Sequence, residues 1–444
     1  MSMRSLAIRL ATCMTAIVVS ADAAVIKVSK NGALTTIQAG IDAASAGDVV
    51  QIGAGVYSEI LTVDVTRVGI TLKAKGKVVL DALGPLGVGL GPAITVEAAS
   101  VRLQGLTIRN AGSTGNFDGI GILALGSNIR VEKCSVSNCD DFGVVLAAAG
   151  GLLSRCVFRS LVDAIAVDGG NGSVIDRCVV RGVDGALKLD QGTSVVVDRL
   201  DVRQCESNAV EVGATNTGGF VLRDSKFECV SETCVVLEGD DALIESNRFR
   251  SVGGALVLAS NDCIVRDNRI DFVTSFGAAF SIGTTTNTRV EANVIRDCAT
   301  AAILLESTST GAILSDNVVL RAGDENFVAY QVFGTNHVLE RERVSFAGGD
   351  AFRFDGIDHE LFDCVALDAA VDGFDVLSSA DFVSLDGCLA RRCAAEGLEN
   401  SGTLTNFNQC TADQNRIDFA NDGTFVVVDV TFVTGGAATP PQID

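Results

Sequence analysis

The 444 residues carry 34 basic and 55 acidic side chains, a formal net charge of −21. Such a surface repels phosphate backbones, so nucleic acid is not an expected partner, and polyuronates would approach it only with a cation in between. An apolar fraction of 48% with only 20% charged residues fits one long buried core.

The N-terminal residues 1–23 are predicted to be a secretory signal peptide. Arg4 and Arg9 supply a positive start, residues 10–19 form an apolar run, and Ala21-Asp22-Ala23 is a small-x-small cleavage site. The run is too short to span a bilayer. We therefore expect a secreted or periplasmic protein without a transmembrane segment.

Residues 24–64 are predicted to form an N-terminal cap, a short helix followed by two strands. Thr35 and Gln38 have the spacing of a capping box, and Ile37 and Ile41 line one face of a helix over residues 35–44. A helix there can cover the open end of a stack of strands, which otherwise exposes unpaired edges.

From about residue 65 to residue 433, one short phrase recurs every 20 to 28 residues. The phrase consists of five residues (apolar, any, apolar, polar, polar), and we call the position that follows them the slot. A period in the low twenties is typical of a solenoid, which makes this region one unit. The slots are Leu106, Cys134, Cys156, Cys178, Leu200, Ser225, Asn247, Asn268, Asn293, Asn317, Glu342, Cys364, Cys388, Cys410 and Val430.

A second apolar run follows most slots, as at residues 164–167, 186–189 and 209–212. These runs are rich in Val, Ile, Leu and Ala and are bounded by turn residues, which is strand chemistry. The fixed Leu and Asn phrase of leucine-rich repeats is missing. The pattern predicts an all-β fold, a single-stranded right-handed parallel β-helix of roughly 15 coils.

The repeated phrase also predicts a bend. Ile129 and Val131 face one side, and Cys134 returns to that side only if residues 132–133 form a corner. Stacked coils lie about 4.8 Å apart, so slot residues form columns inside the solenoid. The four asparagines would then form a ladder of bonded amides, and Glu342 would be a buried carboxylate with a partner or a shift in register.

Thirteen cysteines follow the signal, an odd number. Export permits disulfides, but neighbours in a column point in parallel rather than at each other. We expect buried free thiols, with Cys229 and Cys234 the best candidates for a bridge.

The beginning of the chain resembles a known family. The predicted helix is followed by Ala46-Gly47-Asp48 and then by Gly55-Val56-Tyr57-Ser58-Glu59. This opening is similar to that of the pectin-lyase-like right-handed β-helix superfamily, which includes pectate lyases, pectin methylesterases, polygalacturonases and maturation factors of nitrous-oxide reductase. Over residues 25–433, the resemblance implies a β-helix that interacts with polysaccharide.

Family motifs for particular activities are incomplete. The chain has no Trp, which a methylesterase motif requires. Residues 116–119 (Asn-Phe-Asp-Gly) and Asp140-Asp141 resemble two polygalacturonase motifs in order, but His337 and His359, the only histidines, lie far away. Asp and Gly as turn residues explain these two matches.

A candidate site lies on the outward positions of the second runs. If Ile165, Leu187 and Val210 are equivalent inward residues, one lysine and several carboxylates gather on three adjacent coils. Carboxylates on a rigid sheet suit Ca²⁺, and a lysine beside a bound cation can remove the proton α to a uronate carboxyl group. This hypothesis makes Lys188 the catalytic base and assigns the metal to Asp163, Asp168, Asp190 and Glu211, with Asp184 nearby.

The alternative is a solvated face on which Lys188 only balances its neighbours. A second group of similar form contains Asp350, Arg353, Asp355 and Asp375. With no Trp and two Tyr, the composition shows no obvious sugar-stacking platform.

We therefore predict a secreted, monomeric β-helix protein that interacts with polysaccharide and that, if it is an enzyme, is a Ca²⁺-assisted polyuronate lyase. A less favoured enzyme class is a glycoside hydrolase. The alternative is a non-catalytic scaffold that binds a cell-envelope component. Residues 434–444, a Gly, Ala and Pro tail, are predicted to be disordered.

Overall fold

The computed structural model describes residues 23–83, 91–112, 119–215, 218–274, 278–323 and 327–433. Within these ranges one α-helix, α1 (Ile37–Asp42), is followed and preceded by strands that all belong to one parallel system. The strands wind into about 17 turns, slightly more than the predicted 15. The all-β parallel solenoid is confirmed.

The strands, numbered in chain order, are β1 (Val25–Val28), β2 (Val49–Tyr57), β3 (Leu61–Val63), β4 (Thr71–Asp81), β5 (Ile94–Val96), β6 (Arg102–Arg109), β7 (Ile122–Ala124), β8 (Arg130–Glu132), β9 (Ser135–Leu146), β10 (Leu152–Ser154), β11 (Val157–Asp168), β12 (Val174–Asp176), β13 (Val179–Gln191), β14 (Val196–Asp198), β15 (Asp201–Cys205), β16 (Val210–Val212), β17 (Val221–Arg223), β18 (Lys226–Leu237), β19 (Leu243–Glu245) and β20 (Arg248–Leu258). The second half contains β21 (Ile264–Arg266), β22 (Arg269–Val273), β23 (Phe280–Ile282), β24 (Arg289–Glu291), β25 (Val294–Cys298), β26 (Ile303–Leu305), β27 (Ile313–Ser315), β28 (Val318–Ala322), β29 (Tyr330–Val332), β30 (Val338–Glu340), β31 (Arg343–Ser345), β32 (Phe352–Phe354), β33 (Ile357–Phe362), β34 (Val365–Leu367), β35 (Phe374–Val376), β36 (Asp381–Asp386), β37 (Leu389–Arg391), β38 (Glu396–Asn400), β39 (Thr405–Asp413), β40 (Ile417–Asn421) and β41 (Phe425–Val433).

Each coil turns at backbone positions with positive φ that lie five residues apart. In one coil these are Asn128, Lys133 and Asn138, with φ of 57°, 54° and 53°. The next coil repeats the spacing at Gly150, Arg155 and Ser160. The left-handed conformation reverses the inward and outward alternation, which is the bend predicted at residues 132–133. Each coil therefore has two short faces between corners, followed by a third strand.

The slot residues line a column inside the solenoid, as predicted. Cys134, Cys156 and Cys178 are fully buried, and the strands that contain their neighbours are in parallel register. In the asparagine ladder, the backbone N–H of Asn268 donates to Oδ1 of Asn293 (2.9 Å), and Nδ2 of Asn268 donates to the same oxygen (3.0 Å) and to a carbonyl of the previous coil (2.8 Å). The amides satisfy each other and the backbone groups freed at the corner.

Glu342 ends the asparagine ladder and is a buried carboxylate with partners. Its Oε1 accepts a hydrogen bond from Nδ2 of Asn317 (2.9 Å), and its Oε2 accepts one from the hydroxyl of Tyr330. Burial raises the pKa of Glu342 to about 8, because the hydrogen bonds from Tyr330 and from the side chain and backbone of Asn317 offset only part of the desolvation.

The predicted capping box at the N-terminal helix is wrong. Thr36, not Thr35, caps α1 by accepting a hydrogen bond from the N–H of Ala39 (3.2 Å). The carboxylate of Glu59 binds the N–H groups of Ile37 (2.8 Å) and Gln38 (3.0 Å). The side chain of Gln38 instead binds the backbone of the next coil. A residue distant in sequence therefore supplies the second cap.

All thirteen cysteines in the described ranges are free thiols, and twelve of them are buried. The Cys229–Cys234 bridge that we considered does not form. Cys229 lies at an exposed corner with φ of 57°, whereas Cys234 faces the interior.

The predicted signal peptide (residues 1–23, except for residue 23) and the predicted tail (residues 434–444) lie outside the described residues. In the described part of the chain, no helix has the length and apolar character needed to cross a bilayer.

Glu342→Gln should remove a pH dependence of stability. The folded state holds a proton on Glu342 up to about pH 8, whereas the unfolded state releases it near 4.5, so the stability from this group is complete below pH 4.5 and is lost as pH rises to 8. The loss amounts to up to about 5 kcal/mol. Gln mimics the protonated acid, so the variant should melt at a higher temperature than wild type at about pH 9 and at a similar temperature at about pH 5.

Thermal unfolding followed by circular dichroism at the two pH values measures this difference. The matched control is Glu340→Gln, since Glu340 is 39% exposed on the outer surface beside Arg341. Equal pH dependence in wild type and Glu342→Gln would contradict a buried, protonated Glu342.

Candidate functional site

Of the predicted site residues, Lys188 and Glu211 lie on the outward column of the third strands, whereas Asp163 precedes this column along the chain and Asp168 and Asp190 follow it. Register partners run from Ala166 to Lys188 and Glu211. The same column continues from coil to coil until it reaches Arg353, Asp375 and Glu399. Both predicted groups therefore lie on one face of the solenoid, at two positions along its axis.

Lys188 separates two shallow hollows on this face. One, of about 170 Å³, is lined by Asp163, Asp184, Asn208 and Glu211 as well as by Lys188. The other, of about 290 Å³, lies beside Lys188, Glu211, Asp190 and Glu238. The Lys188 Nζ is 4.0 Å from Oδ2 of Asp190, and the two side chains are 42% and 57% exposed. The lysine is therefore accessible to a ligand from both sides.

Asp163 carries the strongest electrostatic signal in this group. Burial raises its pKa, the charges of Glu211, Asp141 and Asp184 raise it further, and Lys188 lowers it. In the described part of the chain, its carboxylate has no hydrogen-bond or ion-pair partner. A Cβ on Gly185, the register partner of Asp163, would collide with Oδ1 of Asp163. Gly185 thus makes room for a carboxylate that faces the hollow.

The structure moves one predicted ligand away and adds others. A bulge after Val167 pairs Asp168 with Gln191, and Asp168 lines neither hollow. Asn208, which we did not predict, donates from Nδ2 to Oε1 of Glu211 (2.9 Å) and orients it.

Asp141 also belongs to the charge cluster, because burial raises its pKa and the charge of Lys188 lowers it. Asp141 and Asn208 occupy positions in their coils close to those of Asp163 and Asp184. This shared position in the repeat could have identified both residues from the sequence.

The donor chemistry of this group fits Ca²⁺, but its oxygens stand apart. Asp163, Asp184, Asp190 and Glu211 offer carboxylates with only Lys188 to balance them, so a cation would relieve their repulsion. Among the described residues, however, no three of these carboxylates bring oxygens within 4.8 Å of one another. An ion held here would have to share its coordination with a ligand carboxylate.

The second group forms a tighter cluster. Asp350, Asp372 and Asp375 are buried and bring one oxygen each within 4.8 Å of the others. Arg353 Nε binds Asp375 at 3.0 Å, and the Arg353 guanidinium also binds Asp350. Burial raises the pKa of Asp372 to about 9 and that of Asp375 to about 6.

Most hydrogen bonds of these carboxylates join them to other residues of the protein on neighbouring coils. Oδ1 of Asp350 accepts from the N–H of Asp372 (3.0 Å), and Oδ1 of Asp372 accepts from the N–H of Glu396 (2.7 Å). Asp355, which we had included, is not one of the converging carboxylates. We interpret the cluster as a buried ion network that ties adjacent coils together.

The histidines lie in the interior. His337 and His359 stack with ring centroids 5.2 Å apart, and burial lowers their pKa values to about 4 and about 3. They do not face the Lys188 hollows. Residues 116–118 of the polygalacturonase-like motif lie outside the described residues.

Arg353→Met should destabilise the fold strongly. It leaves Asp350 and Asp375 buried without their cation, a change that costs about 3–5 kcal/mol at neutral pH. The loss should be smaller at about pH 5, where Asp375, whose pKa burial raises to about 6, takes up a proton. Thermal unfolding at both pH values measures it.

The control for this prediction is Arg341→Met. Arg341 and Asp316 are both 52% exposed, so that variant should unfold at nearly the same temperature as wild type. Equal loss in the two variants would show that the Asp350 cluster is not an internal ion network.

Comparisons with known proteins agree with this architecture. No curated protein sequence matches the chain significantly. Among solved structures, a PL6-family alginate lyase, AlyGC, is similar with a TM-score of 0.51 and 12% identity over 90% of this chain and 80% of that chain. A PL6-family polysaccharide lyase from Pseudopedobacter saltans has a TM-score of 0.47 and 12% identity, covering 78% of this chain and 84% of that one.

A pectin methylesterase from Aspergillus niger has a TM-score of 0.35 and 14% identity over 62% of this chain and 87% of that chain. At such identities the likeness speaks for the fold alone. The sequence pattern described as "Right handed beta helix region" matches residues 92–268, 163–319 and 208–352. These overlapping matches span more than half of the chain, which therefore belongs to the right-handed beta helix family.

Proposed function

We propose that the protein is an exported β-helix that acts on polyuronates by β-elimination at the Lys188 face. The observation that carries the proposal is the placement of one accessible lysine among carboxylates on three adjacent coils of a rigid sheet. The similarity to polysaccharide lyases of the same architecture is compatible with this chemistry. Export rests on the signal-like pattern of residues 1–23.

In this proposal Lys188 removes the proton α to the uronate carboxyl group. The electron pair of the broken C–H bond forms a C=C bond, and the glycosidic C–O bond at the β carbon breaks, with water supplying the proton to the leaving oxygen. Ca²⁺, when bound, would neutralise the uronate carboxylate. Asp163, Asp190 and Glu211 would hold it, whereas Asp168, the fourth ligand predicted from the sequence, lines neither hollow.

The chain's own residues do the positioning. Asn208 fixes Glu211, and Thr233 in turn fixes Asn208 by donating its N–H to Oδ1 (3.2 Å). Gly185 leaves the space that lets Asp163 face the ligand. The Thr233–Asn208 and Gly185–Asp163 contacts join neighbouring coils, so the register of the stack sets the geometry of the site.

A second candidate is a non-catalytic scaffold that binds a polysaccharide or another envelope component. The size of the hollows favours it, since 170 and 290 Å³ are below the usual range of about 300–1,000 Å³ for ligand pockets. A scaffold would bind uronates at this face without breaking them.

Lyase activity is tested by absorbance of the unsaturated uronate product on polygalacturonate and alginate, with Ca²⁺ or with EDTA. Wild type should form product only with Ca²⁺, and Lys188→Ala should lose at least about a hundredfold in rate, the usual contribution of a general base. The exposed Lys73 is the matched control, and Lys73→Ala should retain activity.

A second pair of variants tests the carboxylates. Gly185→Ala pushes Asp163 aside and should reduce the rate, whereas Gly213→Ala should not, because its new Cβ would meet no atom nearer than 3.6 Å. Absence of a Ca²⁺-dependent product on every polymer would reject the lyase and leave the scaffold.

A further inference from the structure

An arginine column lies on a different face, between the second and third corners of each coil. Arg159, Arg181 and Arg203 are register partners on β11, β13 and β15, and all three are exposed. Adjacent strands lie about 4.8 Å apart, so three guanidinium groups follow one another along the axis. The three arginines make this strip of the surface positive, although the net charge of the chain is −21.

The protein compensates only one end of this column. Arg203 binds Asp201 at 3.0 Å, whereas in the described part of the chain no carboxylate lies within 4.0 Å of the Arg159 or Arg181 side chains. Like charges directly opposite one another destabilise a sheet. The column therefore costs stability, and packing in the folded chain does not explain it.

The next coil shows what a carboxylate does in this column. Glu228 follows Arg203 in register, and Arg250 follows Glu228. The carboxylate of Glu228 lies 3.9 Å from Arg203 and 4.0 Å from Arg250, between the two guanidinium groups. Arg159 and Arg181 are on directly adjacent coils, so a carboxylate that binds both of them would have to come from a ligand on the outer surface.

A shallow groove continues the column toward the C-terminus. It has a volume of about 120 Å³ and is lined by Arg203, Lys226, Arg248 and Arg250 together with Asp201 and Glu228. The register column runs through five coils, from Arg159 to Arg250, so it suits a linear partner that runs along the axis rather than a small compact one.

We propose that Arg159, Arg181 and Arg203 form a binding strip for a linear polyuronate. Such a polymer presents one carboxylate per sugar, at a spacing comparable to that of the coils, and a guanidinium binds a carboxylate through two parallel hydrogen bonds. Nucleic acid fits less well, because its dense phosphates would meet the acidic surface around the strip. The strip does not depend on the Lys188 chemistry.

Binding of a labelled, size-defined oligogalacturonate, followed by fluorescence anisotropy in EDTA, tests the strip. EDTA removes cation-bridged binding at the Lys188 face. Arg159→Gln combined with Arg181→Gln should weaken binding about tenfold, because each exposed charge pair contributes modestly, and added salt should weaken binding by wild type.

The control variant combines Arg289→Gln with Arg416→Gln. It removes two exposed arginines elsewhere on the surface and has the same net charge as the strip variant. It should bind like wild type. Equal affinity in the strip and control variants would overturn the proposal, and so would tighter binding of single-stranded DNA of similar length. Loss of binding in Lys188→Ala alone would place the polymer at the lyase face and reject the strip.

Discussion

The fold depends on one backbone constraint, the left-handed residues that recur five positions apart in every regular coil. At these corners the inward and outward alternation resets, so equivalent residues of successive coils face the same way. The interior columns then satisfy the polar groups that the corners release, as the amides of Asn247, Asn268 and Asn293 do by bonding to one another and to the backbone. Glu342 and Tyr330 close this ladder, and a shift of one residue at any corner would break it.

The same register creates the surfaces on which the proposed function depends. Columns that stabilise the interior also align outward side chains, and they place Lys188 next to Glu211 on one face and Arg159 next to Arg181 on another. The protein compensates most such charges internally, as Arg353 does for Asp350 and Asp375. Charges that remain without a partner, or carboxylates that remain without enough cations, are therefore the informative ones.

The architecture could be predicted from the sequence because each coil of a solenoid repeats the same residue pattern at a regular period. The slots, the bend at Lys133 and the buried Cys and Asn columns follow from spacing alone. Features that depend on contacts between distant coils were not predictable in this way. The Glu59 cap of α1, the bulge that displaces Asp168 and the orientation of Glu211 by Asn208 arise from such contacts. The arginine strip could have been predicted, because its residues occupy the same position in successive repeats. It lies outside the strand that the superfamily resemblance favoured.

The most direct test of the functional account is a crystal structure of the protein with Ca²⁺ and a saturated oligogalacturonate. The account predicts a uronate carboxylate and a cation at the Lys188 face, with the cation shared between that carboxylate and Asp163 or Glu211, and Lys188 Nζ directed at the sugar. A fully occupied ligand bound only on other faces, with Lys188 still facing Asp190 and no cation beside it, would contradict the account.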